Sequence, residues 1–203
     1  MRVNAWTPVA GCTLILAAGQ GQRYRQHRGE DKLLAPSRAN DPSATPILLA
    51  TLQACTGLTE RCVLVLSDAQ PERIALAQQH APALGIELLC ISSRGLGHSL
   101  AQAAEATESA PGWLVALADM PYIQSSTWQR MAQTIQPDAL ALPTFRGQRG
   151  HPRVIGSQYA RQLRELDSDH GAQHLFKLPA VKEIEVDDRG ILLDVDVPAD
   201  RLQ

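Results

Sequence analysis

Gly19, Gly21, Arg23 and Lys32 follow directly on the first strongly apolar run of the chain, Cys12-Thr13-Leu14-Ile15-Leu16-Ala17. A turn with two glycines lets several backbone N–H groups point at one anion, because glycine tolerates positive φ and close ligand approach. Arg23 adds a fork of donors matched to phosphate oxygens, and Lys32 adds a compact second cation. Two familiar phosphate motifs are excluded. A dinucleotide fingerprint needs a third glycine where Tyr24 stands, and no Walker A run exists. A glycine pair alone also fits a plain strand-to-helix turn with solvated basic residues.

Carboxylates further along suit the same chemistry. Asp119 follows the apolar run Trp113 to Leu117, at the carboxyl end of an expected strand. There it can hold a divalent ion or cap the next turn. Asp194, Asp196 and Asp200 form another acidic group. The period of two along a strand puts Asp194 and Asp196 on one face, so spacing does not say which points inward. Ser99, after Gly95 and Gly97, can meet a base or ribose or simply cap a helix. His151 precedes Pro152 and is biased to an extended backbone. His170 and His174 have helical zinc spacing but lack the glutamate of a zinc-protease motif and any evident third ligand.

The elements that must position these residues alternate. Apolar strands are expected at 12–17, 62–66, 86–91, 113–117 and 139–142. Helices are expected at 47–55, 71–83, 96–108 and 125–135, the last capped by Ser125 or Ser126. This pattern predicts an α/β fold: a Rossmann-like mixed, mostly parallel sheet with helices on both faces, whose ligand crevice lies at the carboxyl ends of the strands. Beyond His151 a short strand, helices at 157–166 and 169–178, and a hairpin (181–186 turning into 191–195) are expected. Ser37 to Pro46 reads as a mobile surface loop.

Bulk properties bound the function. The 203 residues suit a single domain, and a formal net charge of −2 leaves no electrostatic footprint for nucleic acid. Cys12, Cys55, Cys62 and Cys90 form no metal-type pair and read as buried reduced thiols. Val9-Ala10-Gly11-Cys12 looks like a lipoprotein cleavage site, but Met1 to Pro8 lacks the apolar segment of a signal peptide. No run is long enough for a membrane span. The expected location is cytoplasmic.

The string Leu16-Ala17-Ala18-Gly19-Gln20-Gly21-Gln22-Arg23, with Asp31-Lys32-Leu33-Leu34 beyond it, resembles the nucleotidyltransferases of molybdenum cofactor maturation, of the MobA/MocA type. Five further blocks follow in order: Gly95-Leu96-Gly97-His98-Ser99-Leu100, Ala118-Asp119-Met120-Pro121, Arg149-Gly150-His151-Pro152, Asp169-His170-Gly171-Ala172 and Asp194-Val195-Asp196-Val197-Pro198-Ala199-Asp200. The resemblance covers nearly the whole chain. Departures are Tyr24-Arg25 in place of a Met-Gly pair, a longer stretch between Arg23 and Lys32, Ala118 for a glycine and Val197 for a threonine.

The resemblance implies the fold of the nucleotide-diphospho-sugar transferases. It also implies a nucleotide-binding half at about 10–121 and an acceptor-binding half at about 122–203. Leu16, Ala17, Ala18, Gly19, Gly21, Arg23, Lys32, Gly97 and Ser99 would bind the nucleotide, with Arg23, Lys32 and Asp119 catalytic. Asp119 and Asp196 would hold Mg²⁺, or Mn²⁺ in its place, and His151 would touch the acceptor. The Ala17-Ala18-Gly19 form resembles the cytidylyltransferase branch. The expected reaction moves CMP from CTP onto molybdenum-bound molybdopterin and releases pyrophosphate, with a client molybdoenzyme as a further partner. The alternatives are a GTP-using or other transferase with a different phosphorylated acceptor, and a non-catalytic cofactor-binding chaperone.

Overall fold

The computed structural model describes residues 6–21, 24–26, 29–167 and 171–202. Among them one eight-stranded sheet organises the chain. Four strands, β1 (Val9–Leu16), β2 (Thr59–Ser67), β3 (Glu87–Ile91) and β4 (Gly112–Leu117), run parallel in the order β3-β2-β1-β4. The sheet then becomes mixed. β7 (Arg153–Gly156) lies antiparallel to β4, and β5 (Leu140–Phe145) antiparallel to β7. The short β6 (Gln148–Arg149) pairs antiparallel with the end of β5, and β8 (Lys182–Glu185) joins β5 in parallel.

The unbroken apolar runs of β1, β2 and β4 are explained by burial on both faces, as parallel sheets require. Ile15, Leu64, Leu114 and Ala116 face one core, which α1 (Ile47–Cys55) covers with Leu48 and Leu52, and α4 (Ser125–Ala132) with Trp128. Leu14, Leu16, Val63, Val65 and Val115 alternate to the other face. There α3 (Leu96–Ala106) supplies Leu100, Ala103 and Ala104, and Phe176 closes the layer. The Trp113 indole, fully buried, donates to Thr107 Oγ1 at 2.8 Å, so its polar atom is satisfied inside that core.

The mixed, mostly parallel sheet agrees with expectation, and several local expectations do not. The helix that starts at Pro71, α2, ends at His80, because Pro82 opens a separate 3₁₀ turn (Pro82–Leu84). Neither Ser125 nor Ser126 caps α4: Gln124 is the cap residue and makes no side-chain cap bond, and its own N–H donates to Asp188 Oδ2 at 2.8 Å. The expected hairpin is absent. β8 takes a parallel edge on β5, and Asp188 instead caps a 3₁₀ turn, Arg189–Leu192, by accepting from Gly190 N at 2.8 Å. Gly190 lies so close to the Tyr122 carbonyl that a Cβ would stand 2.2 Å from its oxygen.

The expected 157–166 helix divides into a 3₁₀ turn, Ser157–Tyr159, and a short α5, Ala160–Arg164. Asp169 and His170 lie outside the described residues. The rest of the helix expected at 169–178 is a turn with a left-handed Gly171 (φ 54°) and a 3₁₀ segment, Leu175–Lys177. The Ser37 to Pro46 loop is tied down. Pro36 bridges Pro46, Ala39 N donates to the Leu202 carbonyl at 2.8 Å, and the Tyr122 hydroxyl donates to the Ser37 carbonyl at 2.6 Å. Cys12, Cys55 and Cys62 are buried free thiols, whereas Cys90 is exposed on the edge strand β3. Among the described residues no helix is long and apolar enough to cross a membrane.

Candidate active site

β1 and β4 pair in parallel with Leu16 opposite Leu117, so the loop after β1 and the turn after β4 leave the sheet side by side. This register brings Gly19 and Asp119 to one edge although a hundred residues separate them. The Ala17 N–H donates to the Val65 carbonyl, and the Ala118 N–H to the Leu16 carbonyl, so pairing continues one step past each strand. Ala17 and Ala18 are buried. Gly21 has φ 61°, and a Cβ there would stand 3.5 Å from Lys32 Cγ, which fits a glycine at a tight turn against the lysine stem.

Lys32 is the centre of the arrangement. Its ammonium lies 2.5 Å from Asp119 Oδ2 and 3.2 Å from Asp196 Oδ1. Burial alone would lower the Lys32 pKa, but Asp119 first and then Asp196 hold it above its ordinary value, so the side chain stays cationic at neutral pH. Thr51 Oγ1 donates to the Ala118 carbonyl at 3.0 Å and steadies the turn that carries Asp119. Asp196 is held by Asp200, whose Oδ2 accepts from Asp196 N at 2.9 Å and Val197 N at 2.7 Å. Val195 N donates to the Asp119 carbonyl at 3.0 Å and joins the two turns. Asp196 is therefore the member of its acidic group that reaches the lysine. Asp194 is exposed beside it, and its pKa is raised by partial burial and by the charges of Asp196 and Asp119.

These carboxylates suit a hard divalent cation. Asp119 Oδ1 is buried with no hydrogen-bond partner, an arrangement that is costly unless something binds there. Among the described residues no group of three or more acidic, histidine or cysteine side chains is gathered for a metal. A site of two carboxylates completed by phosphate oxygens matches the way Mg²⁺ is usually held.

A residue that sequence reasoning missed organises the loop. Arg73 of α2, 1% exposed, donates from Nη1 to the carbonyls of Ala17 (2.6 Å) and Gly19 (2.7 Å) and to Gln70 Oε1 (2.9 Å). Its Nε and Nη2 grip both oxygens of Asp31 at 2.7 and 2.8 Å. Asp31 in turn caps the 3₁₀ turn Lys32–Leu34 by accepting from Leu33 N at 3.0 Å. One guanidinium thus fixes both the glycine loop and the start of the lysine segment. A signal existed: Gln70, Arg73, Ala77 and Ala81 recur at helical spacing and are all buried.

The remaining expected residues fall in two places. Gly97 and Ser99 lie in the first turns of α3, and the Ser99 hydroxyl is engaged by Ser93 Oγ at 2.7 Å and the Gly95 carbonyl at 2.9 Å. Ser99 therefore shapes the preceding loop. His151 is on the far side of β4, where its N–H donates to the Ile191 carbonyl at 3.1 Å and its Nδ1 is buried without a partner. Burial, then the charge of Arg153, push its pKa down to about 3, so the imidazole is neutral at physiological pH. Arg23 lies outside the described residues.

A family model described as the MobA-like NTP transferase domain matches residues 13–186. The chain belongs to this family. Among curated proteins it is similar to the bifunctional protein GlmU of Pseudomonas aeruginosa (strain LESB58), with 30% identity over 93% of this chain and 38% of that protein. The chain therefore spans well under half the length of that relative. Among solved structures it resembles Rv0371c from Mycobacterium tuberculosis H37Rv, with 26% identity, a TM-score of 0.76 and 96% of each chain covered. A manganese complex of Rv0371C superposes with a TM-score of 0.68 at 21% identity, covering 96% of this chain and 94% of that one. A nucleotidyl transferase from Methanothermobacter thermautotroptrophicus (Mth528) shares the fold, with a TM-score of 0.75 at 18% identity and 94% of each chain covered. This member of the MobA-like NTP transferase domain family thus carries its paired lysine and aspartates on a sheet shared with those solved structures.

Proposed function

We infer that the protein transfers CMP from CTP to molybdenum-bound molybdopterin, forming the cytosine dinucleotide cofactor and pyrophosphate. The observation that carries the reading is the Lys32 ammonium held between Asp119 and Asp196 beside the glycine loop. In this reading residues of about 10–121 bind the nucleotide and those of about 122–203 the acceptor. Leu16, Ala17, Ala18, Gly19 and Gly21 line the triphosphate, Arg23 holds its terminal phosphates, and Gly97 and Ser99 form the wall by the base. Lys32 neutralises charge that grows on the α-phosphate oxygens in the transition state. An oxygen of the acceptor's terminal phosphate forms the new bond to the α-phosphorus. The bond from that phosphorus to the α–β bridging oxygen breaks, and its electron pair leaves with pyrophosphate. The acceptor phosphate is already an anion, so no general base is needed, and a neutral His151 is compatible with a binding role.

A divalent ion held by Asp119 and Asp196 would supply further charge neutralisation on the phosphates. Mg²⁺ is the proposed ion, and the manganese complex of the mycobacterial neighbour supports Mn²⁺ as a substitute. The Ala17-Ala18-Gly19 form supports cytosine over guanine.

Pyrophosphate release from CTP, with Mg²⁺ and the pterin acceptor, tests the reading. Turnover is expected with CTP in preference to GTP, with loss on chelation and in Asp119→Asn. Preferential turnover of GTP overturns the base assignment. Unchanged cofactor delivery by Asp119→Asn without turnover overturns catalysis in favour of a chaperone.

A further inference from the structure

A pocket opens on the face of the sheet opposite α1, beside the carboxyl ends of β1 and β4. Leu16 and Leu117 form its floor, and Leu100, His151, Arg153 and Phe176 are among its walls. Leu16 leads directly into the glycine loop, and Leu117 stands two residues before Asp119. The pocket therefore adjoins the lysine-aspartate centre from the side of the second half of the chain.

Two polar atoms of this pocket, on Arg153 and His151, lack hydrogen-bond partners among the described residues. The Arg153 guanidinium lies 4.8 Å from the centre of the Phe176 ring, which covers one face of it and leaves the N–H edge clear of the ring. Its Nε is buried with no hydrogen-bond partner, and His151 Nδ1 is in the same condition. Among the described residues Arg153 forms no ion pair. Its neighbour Arg149 is already committed to Glu183 and to the Phe176 carbonyl. Burial, and then the charge of Arg149, lower the Arg153 pKa from its ordinary value. A half-buried cation set among apolar side chains, next to a second cation and without an anion, is unfavourable unless a ligand completes it.

We propose that Arg153 is a specificity-determining residue, which receives an oxyanion of the second substrate in this pocket while Phe176 and Leu117 pack against its apolar part. The ligand class is a phosphate or carboxylate group of the second substrate; on the proposed pterin acceptor it is the terminal phosphate, held beside the triphosphate. The inference deepens the proposed function and rests on it for the identity of the acceptor, though not for the anion site itself.

Two measurements test it. The Nε–Hε resonance of Arg153, assigned by its disappearance in Arg153→Met, is followed as inorganic phosphate or acetate is added, with chloride as control. A saturable shift with either oxyanion supports the site, and the two arms separate a phosphate from a carboxylate preference. No shift with either overturns it. In the transfer assay, Arg153→Met is expected to raise the acceptor KM about 10- to 100-fold, the loss typical of a charged hydrogen bond, and to leave the CTP KM unchanged. Arg153→Lys, which keeps the charge, should recover part of the loss and shows that the change is not one of folding. An equal rise in the CTP KM overturns the assignment to the acceptor. If the wild-type protein does not turn over CTP, the proposed function fails, and the phosphate titration still decides the anion site.

Discussion

Replacing Arg73 by methionine keeps most of the side-chain length and removes the charge and every donor. Five hydrogen bonds are lost, two of them to Asp31, which is itself only 7% exposed. The carboxylate is then left buried with Arg25 as its remaining cation, at 3.3 Å on a half-exposed side chain that contributes little through solvent screening. Breaking a buried pair from one side costs about 3–5 kcal/mol. For a domain of this size each kcal/mol moves Tm by about 2–4 °C, so a fall of roughly 6–20 °C is expected.

Asp31→Asn in the same chain removes the orphaned charge and keeps a side-chain oxygen for Leu33 N. The double variant should therefore be more stable than Arg73→Met alone. Urea unfolding of the wild type, both single variants and the double variant supplies the cycle. The expected coupling is at least about 1 kcal/mol, within the range for residues of one network. A single-variant loss below about 1 kcal/mol, or strict additivity, would refute the clamp, since a buried and geometrically complete pair cannot be silent. Nucleotide affinity should fall in Arg73→Met even well below its Tm, because the Ala17 and Gly19 carbonyls lose their anchor.

Two further outcomes follow from the site. Lys32→Met should lower kcat by about 100- to 1000-fold with a smaller change in CTP affinity, as for other groups that meet charge developed in the transition state; steady-state kinetics at saturating CTP reads this. His151 has a folded pKa of about 3, below its unfolded value, so its contribution to stability is complete above about pH 6.5 and is lost as pH falls toward 3. The full slope is about 1.4 kcal/mol per pH unit, and His151→Gln should flatten the acid limb of the urea-midpoint profile between those limits.

The apolar runs at 12–17, 62–66 and 113–117 determined the parallel strands, because a strand buried on both faces must be apolar throughout. The same runs located the turns that carry Gly19, Gly21 and Asp119. Pro71 determined where α2 begins. The C-terminal region was less legible. Alternation at 181–195 is equally consistent with a hairpin or with one parallel strand followed by a 3₁₀ turn. The choice fell to a free edge on β5 and to Asp188, whose partners lie at Gly190 and at Gln124, far away in sequence.

The lysine and the glycines were visible as residue types in sequence. What brings Lys32 onto Asp119 and Asp196 was not visible, because long-range ion pairs depend on register and on turn geometry. Spacing alone left Asp194 and Asp196 equivalent; the Asp200 cap and the Val195 to Asp119 hydrogen bond direct Asp196 to the lysine. Arg73 and Arg153 mark the same division. In sequence each is one arginine among many: Arg73 lies in no motif, and Arg153 stands just after the Arg149-Gly150-His151-Pro152 block without being part of it. Only tertiary packing makes the first a satisfied clamp and leaves the second without an ion pair among the described residues, since burial raises the energetic weight of every charge and the fold decides which charges meet.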